Sequence, residues 1–198
     1  TIWFVGVDGS AKTSYVFRSV DGGKTFTYNA TPIDGRAAQM DAYDEDVALV
    51  ACANGKVFKT SDGGATFSEA YSYSLGLGNG WFDGLRIVDG TAIAFGDEAS
   101  DGAMHFAKST DMGETWTQIE GMDYGQAAYG YYTYGTGSCV ADGVYWAVGF
   151  TSSYTGSWIF KTTDQGETWT TIEIDTSAYT AYIRSIAFVD ANVGFITS

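Results

Sequence analysis

Four copies of one short phrase restrict the folds open to this 198-residue sequence. The copies follow the pattern Ser/Thr-x-Asp-x-Gly-x-Thr-Trp/Phe and cover residues 19–26, 60–67, 109–116 and 162–169. Their aspartates are 41, 49 and 53 residues apart. Self-similarity at such a period is typical of repeat architectures, and this length suits one four-stranded blade of a β-propeller per repeat.

Strand-like segments flank every copy of the phrase. A basic residue stands directly before the Ser/Thr each time, as Arg18, Lys59, Lys108 and Lys161. Aromatic and β-branched residues alternate around an Asp/Gly turn, which predicts a β-hairpin. Apolar runs around turns such as Asp89-Gly90 indicate a second hairpin upstream of each phrase. Two hairpins per repeat predict four antiparallel strands, and no segment has a helical period worth assigning.

The sequence therefore predicts one all-β domain over residues 1–198, a β-propeller or a contiguous part of one. Its expected blades cover about 1–30, 37–70, 79–120, 134–173 and, in part, 182–198. The first and last blades are incomplete within these residues. Three explanations stay open: a longer propeller, a ring closed by the C-terminal hairpin, or a hairpin that completes a blade of a neighbouring molecule.

Charge and hydropathy narrow the classes of partner. The chain has 10 Lys and Arg against 24 Asp and Glu, a net charge of −14. Such a surface repels phosphate backbones, so no nucleic-acid partner is expected. No apolar run reaches the length of a membrane span, so no membrane insertion is expected.

The repeated phrase resembles the Asp-box, or bacterial neuraminidase repeat, of a family of β-propellers. That family includes sialidases, xyloglucan-active glycoside hydrolases, sortilin-type receptors and photosystem II assembly factors. Trp116 and Trp169 match the tryptophan of the family pattern, whereas Phe26 and Phe67 replace it in the first two copies. Residues 190–195 look most similar to the blade pattern of the assembly-factor and sortilin-like group. The resemblance implies the fold, and it says little about activity because the family contains enzymes, receptors and scaffolds.

The resemblance implies a structural role for the phrase residues. An Asp carboxylate accepts backbone N–H bonds within its own turn, Gly supplies positive φ, and the aromatic ring packs on the neighbouring blade. Four equivalent turns around a ring cannot converge on one substrate, so none is predicted to be catalytic. The predicted structural residues are Ser19, Asp21, Gly23, Thr25, Phe26, Thr60, Asp62, Gly64, Thr66, Phe67, Ser109, Asp111, Gly113, Thr115, Trp116, Thr162, Asp164, Gly166, Thr168 and Trp169.

Any catalytic residues would have to lie outside the four repeated phrases. A sialidase needs converging arginines, and none of the four arginines lies in a Phe-Arg-Ile-Pro-type motif. A glycoside hydrolase needs two carboxylates about 5 to 10 Å apart. The candidates are Asp83, Asp97, Glu98, Asp101 and Asp123, and nothing in the sequence pairs any two of them. His105, the single histidine, lies in a predicted strand beside no evident nucleophile, so no catalytic triad, metal site or cofactor is predicted.

A Tyr- and Gly-rich region departs from the repeat between the third and fourth blades. Its rings and the loops between second and third strands are expected on the end opposite the repeated turns. This candidate binding rim comprises Tyr124, Tyr131, Tyr132, Tyr134, Tyr154, Asp97 and Asp101. It is interpreted as a sugar-stacking surface or a subunit interface, with packing of the rings on their own blades as the alternative.

Taken together, the sequence favours a non-enzymatic, secreted or cell-surface protein that acts by binding. It would self-assemble into a homo-oligomer or filament, through strand complementation or the Tyr-rich rim, or bind a glycan or other cell-surface partner. Two alternatives are a carbohydrate-active glycoside hydrolase and an assembly-factor-like scaffold. An enzyme is disfavoured and not excluded.

Overall fold

The computed structural model describes residues 1–73, 81–97, 104–123, 127, 129–130, 137–151, 153, 155–175 and 183–198. Within these residues every regular element is a β-strand, and all strand pairs are antiparallel. The predicted all-β architecture of four-stranded antiparallel sheets is therefore confirmed.

The strands form five sheets that follow one another along the chain. The first sheet contains β1 (Ile2–Asp8), β2 (Thr13–Ser19) and β3 (Thr27–Tyr28). The second contains β4 (Ala37–Ala42), β5 (Ala48–Cys52), β6 (Lys56–Thr60) and β7 (Ser68–Ser72). The third contains β8 (Phe82–Val88), β9 (Thr91–Gly96), β10 (His105–Ser109) and β11 (Thr117–Gln118).

The fourth and fifth sheets complete the described chain. The fourth contains β12 (Tyr129–Gly130), β13 (Ser138–Ala141), β14 (Val144–Phe150), β15 (Ser157–Thr162) and β16 (Thr170–Ile174). The fifth contains β17 (Ser185–Phe188) and β18 (Gly194–Thr197). Among the described strands, β1 pairs only with β2, and β17 and β18 pair only with each other. The described strands thus form no hydrogen-bonded ladder between the C-terminal hairpin and the first sheet.

The apolar core is divided into layers between successive sheets. Side chains alternate between the two faces of a strand, so a middle sheet contributes to two layers. In β9, Ala92 and Ala94 pack toward the second sheet, whereas Ile93 and Phe95 pack toward the fourth. Two further apolar clusters join the first sheet to the second and the fourth to the fifth. Each sheet is therefore held mainly by its neighbours in the chain.

Polar side chains join the first strands of neighbouring sheets. β4 contacts β8, β8 contacts β13 and β13 contacts β17, so these strands stand side by side on the inner side of the sheets. Gln39 Oε1 accepts hydrogen bonds from Leu85 N at 2.8 Å and from Ser138 Oγ at 3.1 Å. Asp41 Oδ2 accepts one from Ile87 N at 2.9 Å. These bonds satisfy buried groups and fix the spacing of adjacent sheets.

Candidate functional site

Each repeated turn connects the last two strands of its sheet, and its aspartate accepts hydrogen bonds from the same turn. Asp111 Oδ1 accepts from Thr115 N at 2.9 Å and Ser109 Oγ at 2.8 Å, and Oδ2 accepts from Thr115 Oγ1 at 2.6 Å. Ser109 Oγ in turn accepts from Gly113 N at 2.8 Å. The other three copies repeat these bonds, at Asp21, Asp62 and Asp164.

These bonds stabilise the ionised carboxylates. The hydroxyl and then the N–H of the turn threonine lower the pKa of Asp62, Asp111 and Asp164 to about 2. The pKa of Asp21 is also lowered, first by the N–H of Thr25. A carboxyl group with so low a pKa is ionised at neutral pH and cannot serve as a general acid. The turn aspartates therefore stabilise their own hairpins.

The glycines of the second, third and fourth turns bring these turns against the preceding sheet. Gly64 and Gly113 have φ values of +85° and +83°, in the left-handed region that favours glycine. A Cβ at Gly64 would lie 2.8 Å from the Trp3 ring, and one at Gly113 would lie 2.6 Å from Leu49 Cδ2. Trp3 belongs to β1 and Leu49 to β5, and each of these strands pairs with the strand that leads into the repeated turn of its own sheet. Glycine is therefore required at each of these positions for two reasons: the backbone has a positive φ, and the neighbouring sheet is too close for a side chain.

The aromatic residue of each later turn packs on the preceding sheet as well. Trp116 stacks on Tyr71 of β7 with ring centroids 5.5 Å apart, while its Nε1 donates to the Gly113 carbonyl at 3.3 Å. Trp169 lies edge-on to Phe106 of β10 and donates to Gly166 in the same way. Phenylalanine keeps the ring but has no donor, which is the physical difference at the first two copies.

Ion pairs connect the repeated basic residue to the next turn. Lys59 pairs with Glu114 of the third turn, and Lys108 pairs with Glu167 of the fourth at 2.5 Å. The Lys59 and Lys108 side chains are largely buried between sheets. The regular spacing of Lys and the next Glu along the chain was the signal that could have revealed these pairs.

Two candidate carboxyl groups meet at the end of the third sheet opposite its repeated turn. Asp83 lies at a bulge of β8 between Phe82 and Gly84, and Asp97 directly follows the last residue of β9. Asp83 is 1% exposed, and neither of its carboxylate oxygens has a hydrogen-bond donor among the described residues. Burial raises the pKa of Asp83 well above its usual range, and the neighbouring Asp97 raises it further. Sequence reasoning named both residues but could not pair them.

His105 is part of the same buried region. Its ring stacks on Tyr73 with centroids 3.7 Å apart, and its Nδ1 lies 2.6 Å from the main-chain oxygen of Asp97. A carbonyl only accepts, so Nδ1 carries the proton and donates. This bond fixes the backbone at Asp97 relative to β10. His105 is therefore built into the sheet end that holds the two carboxyl groups.

The other predicted site residues separate into two groups. The rim residues Tyr124, Tyr131, Tyr132, Tyr134, Tyr154 and Asp101, and the candidate Glu98, lie outside the described residues. The carboxylate candidate Asp123 is described and exposed, and its main-chain oxygen accepts a hydrogen bond from Thr171. Within the described part of the chain, no group of three or more His, Cys, Asp or Glu side chains could hold a metal ion. In that same part no helix is long and apolar enough to cross a bilayer.

Comparisons with known proteins identify the fold and no closer relationship. No protein-family model matches the sequence, and no curated protein matches it. An α-L-arabinanase from Penicillium chrysogenum, solved with arabinobiose, is 14% identical with a TM-score of 0.50, over 96% of this chain and 71% of that chain. YCF48 bound to D1 peptide is 18% identical with a TM-score of 0.48, over 67% of this chain and 37% of that chain.

A third solved structure is a GH74 xyloglucanase from Xanthomonas campestris. It is 14% identical with a TM-score of 0.47, over 93% of this chain and 39% of that chain. This chain therefore spans less than half of YCF48 and of the xyloglucanase as solved. At such low identities the likeness shows the fold alone, and that fold is the β-propeller, with the five sheets as its blades.

Proposed function

We propose that this propeller chain is a non-enzymatic binding and structural protein that associates head to tail with copies of itself. The observation that carries the proposal is an aromatic cluster on the first sheet, on the face turned away from the second sheet. This aromatic outer face consists of Phe4, Tyr15, Phe17, Phe26 and Tyr28, whose rings contact one another at centroid distances of 4.7 to 6.0 Å. Phe4 is 43% exposed and Tyr28 62% exposed. Contiguous exposed apolar surface of this kind is typical of protein interfaces.

A second apolar face lies at the other end of the row of sheets. In the fifth sheet Ile186 and Phe188 pack on the fourth sheet, so Ala187 and its partner Phe195 point outward. Val189 and Val193 lie two residues from Ala187 and Phe195, just outside the two strands, where Val189 N donates to the Val193 carbonyl and continues the hairpin. Val189 is 73% exposed and Phe195 67% exposed. The first and fifth sheets of the described chain therefore present outward apolar faces of comparable character.

The interfaces inside the chain suggest how the two faces fit. Val193 pairs with Val189 as Thr91 pairs with Val88, which puts Phe195 at the position that Ile93 occupies in β9. Residues at this position receive the glycine of the next turn, as Leu49 receives Gly113. The first turn has no sheet before it in the described chain. Its docking on Phe195 of a second copy would continue the packing that the chain already uses three times.

Charge is compatible with this arrangement and predicts its salt dependence. In the first turn, Lys24 occupies the position that Glu114 holds in the third turn and Glu167 in the fourth. The net charge of −14 opposes association of copies at low ionic strength. Added salt should screen this repulsion and strengthen the association.

Sedimentation velocity over a wide concentration range tests the proposal. The protein should sediment as a concentration-dependent series of oligomers, and Phe4→Ser or Phe195→Ser should each reduce it to a monomer. Val7→Ser is the matched control, because Val7 is 38% exposed on β1 but on its other face. An equimolar mixture of the two serine variants should form a dimer that does not grow, since each retains one intact face. A monomer at every concentration and salt, or no dimer in the mixture, would refute head-to-tail association.

Two further parts of the proposal rest on the sequence and the turn geometry. The turns are proposed to be Asp-boxes, a view supported by the identical hydrogen bonds of their aspartates. The protein is proposed to act outside the cell, where a glycan or another surface protein could be an additional partner. Detection of the native protein in culture medium or on intact cells tests the location, independently of the sedimentation result.

A carbohydrate-active enzyme is the second candidate, favoured by the meeting of Asp83 and Asp97. A general acid must stay protonated at working pH, and the raised pKa of Asp83 meets that requirement. Its near-complete burial places this candidate second, because a catalytic acid must contact its substrate. Incubation with a panel of polysaccharides tests it. Turnover that Asp83→Asn abolishes while sedimentation is unchanged would favour the enzyme, and no turnover would eliminate it.

A further inference from the structure

A bulge in β8 leaves one buried residue without a ladder partner at the end of the third sheet opposite its repeated turn. Phe82 pairs with Gly96 and Gly84 pairs with Phe95, so Asp83 is the extra residue and has no partner in the ladder. On the other side, Asp97 N donates to the Trp81 carbonyl at 2.9 Å, which holds Asp97 beside the start of β8. The two carboxyl groups are thus brought together by backbone geometry.

Among the described residues, no side chain neutralises a second charge on Asp83. The titratable side chains that the structure describes near the pair are His105 on β10, whose ring donates to the main chain of Asp97, and Tyr73 after β7, which stacks on His105. Phe82 lies against the same histidine ring. No Lys or Arg forms an ion pair with Asp83 among the described residues. A buried carboxylate without a donor or a countercharge is strongly unfavourable.

A shared proton solves this problem. Two carboxylates are both acceptors and cannot bond to each other, whereas a carboxylic acid donates its O–H to a neighbouring carboxylate. We infer that Asp83 and Asp97 share one proton in the folded protein, and that the resulting O–H···O bond joins the beginning of β8 to the end of β9. Loss of that proton leaves two neighbouring negative charges, one of them on the buried Asp83, and their repulsion loosens this end of the third sheet.

The sign of the pH dependence follows from the direction of the shift. The folded-state pKa of Asp83 is raised above its unfolded value. The stabilisation is therefore complete below the ordinary pKa of an aspartate and is lost as the pH rises through the raised pKa. This is opposite to the behaviour of the turn aspartates, whose pKa values are lowered.

Melting temperatures measured from mildly acidic to alkaline pH provide the first test. The wild-type melting temperature should fall as pH rises, and Asp83→Asn should remove the part of this fall that comes from the pair. An asparagine amide donates to Asp97 at every pH, so this variant should be the more stable one at alkaline pH. Glu45→Gln changes the net charge equally at an exposed position and should follow the wild type. A wild-type slope retained in Asp83→Asn would overturn the inference.

Infrared difference spectroscopy reads the proton directly, without depending on stability. The folded wild type at neutral pH should show the C=O band of one protonated carboxylic acid, and Asp83→Asn should lose it. Absence of that band in the wild type would overturn the inference. Calcium is the competing occupant. A rise in the wild-type melting temperature on adding calcium, absent in Asp83→Asn, would show that the pair holds a cation and not a proton.

Discussion

Replacement of Gly113 by alanine tests whether the repeated turns hold neighbouring blades together. Gly113 has a φ of +83°, where an alanine carries a strain of about 1–2 kcal/mol. Its Cβ would also lie 2.6 Å from Leu49 Cδ2 and 3.4 Å from Cδ1, inside a fully buried contact. Overpacking of this kind adds about 1–3 kcal/mol. The free energy of unfolding should therefore fall by roughly 2–5 kcal/mol for Gly113→Ala.

Gly90 in the same sheet is the matched control. Its φ of +85° is almost identical, and nothing lies within 4 Å of a Cβ placed there. The free energy of unfolding of Gly90→Ala should fall only by the backbone strain of about 1–2 kcal/mol. Urea denaturation of both variants, with unchanged m-values, gives the difference that belongs to contact between the blades. Equal losses at Gly90 and Gly113 would refute the docking role of the turn.

A double-mutant cycle with Leu49→Ala locates the clash. Leu49→Ala alone should cost about 2–5 kcal/mol, because it removes a buried side chain. In the Gly113→Ala background, the alanine that replaces Leu49 leaves room for the new methyl group. The double variant should therefore lose less free energy of unfolding than the two single variants lose together. Strict additivity would mean that Gly113 and Leu49 do not interact, contrary to the packing described above.

The remaining predictions concern charge and thiol chemistry. Glu167→Gln removes the ion pair with Lys108, and because Glu167 is mostly exposed the loss should be about 0.2–1 kcal/mol in urea titrations and smaller at high salt. The lowered pKa of Asp164 means stability that is present above about pH 4 and lost as pH falls toward 2, so acid titration by circular dichroism should be shallower for Asp164→Asn; an unchanged acid limb would contradict this. Burial raises the pKa of Cys52 to about 12, so iodoacetamide at about pH 8 should alkylate it only after unfolding, as mass spectrometry would show; rapid labelling of the folded protein would contradict its burial.

The sequence alone was sufficient where the stabilising contacts are local. In every repeated turn the Asp accepts from residues two to four positions away, so the phrase contains nearly all the partners that shape its bend. Alternation of apolar residues around those bends then predicted strands, hairpins and a row of antiparallel sheets. The periodic spacing of the bends indicated the propeller.

Contacts between blades needed the tertiary structure. Lys59 and Glu114 are 55 residues apart, and Lys108 and Glu167 are 59 apart, so only the packing of whole sheets brings them together. Similarly, both Asp83 and Asp97 stood out as carboxylates away from the repeats, but one bulge in β8 and the end of β9 decided that they meet, with Asp83 buried and Asp97 half-buried.

Local hydrogen bonding thus determined the repeating unit from sequence, because each bend contains its own donors and acceptors. The stacking of units decided which charges are buried, which glycines are in close contact and which aromatic face stays exposed. Those properties depend on residues supplied by neighbouring sheets, and short-range sequence patterns contain no information about how far apart such residues lie in space.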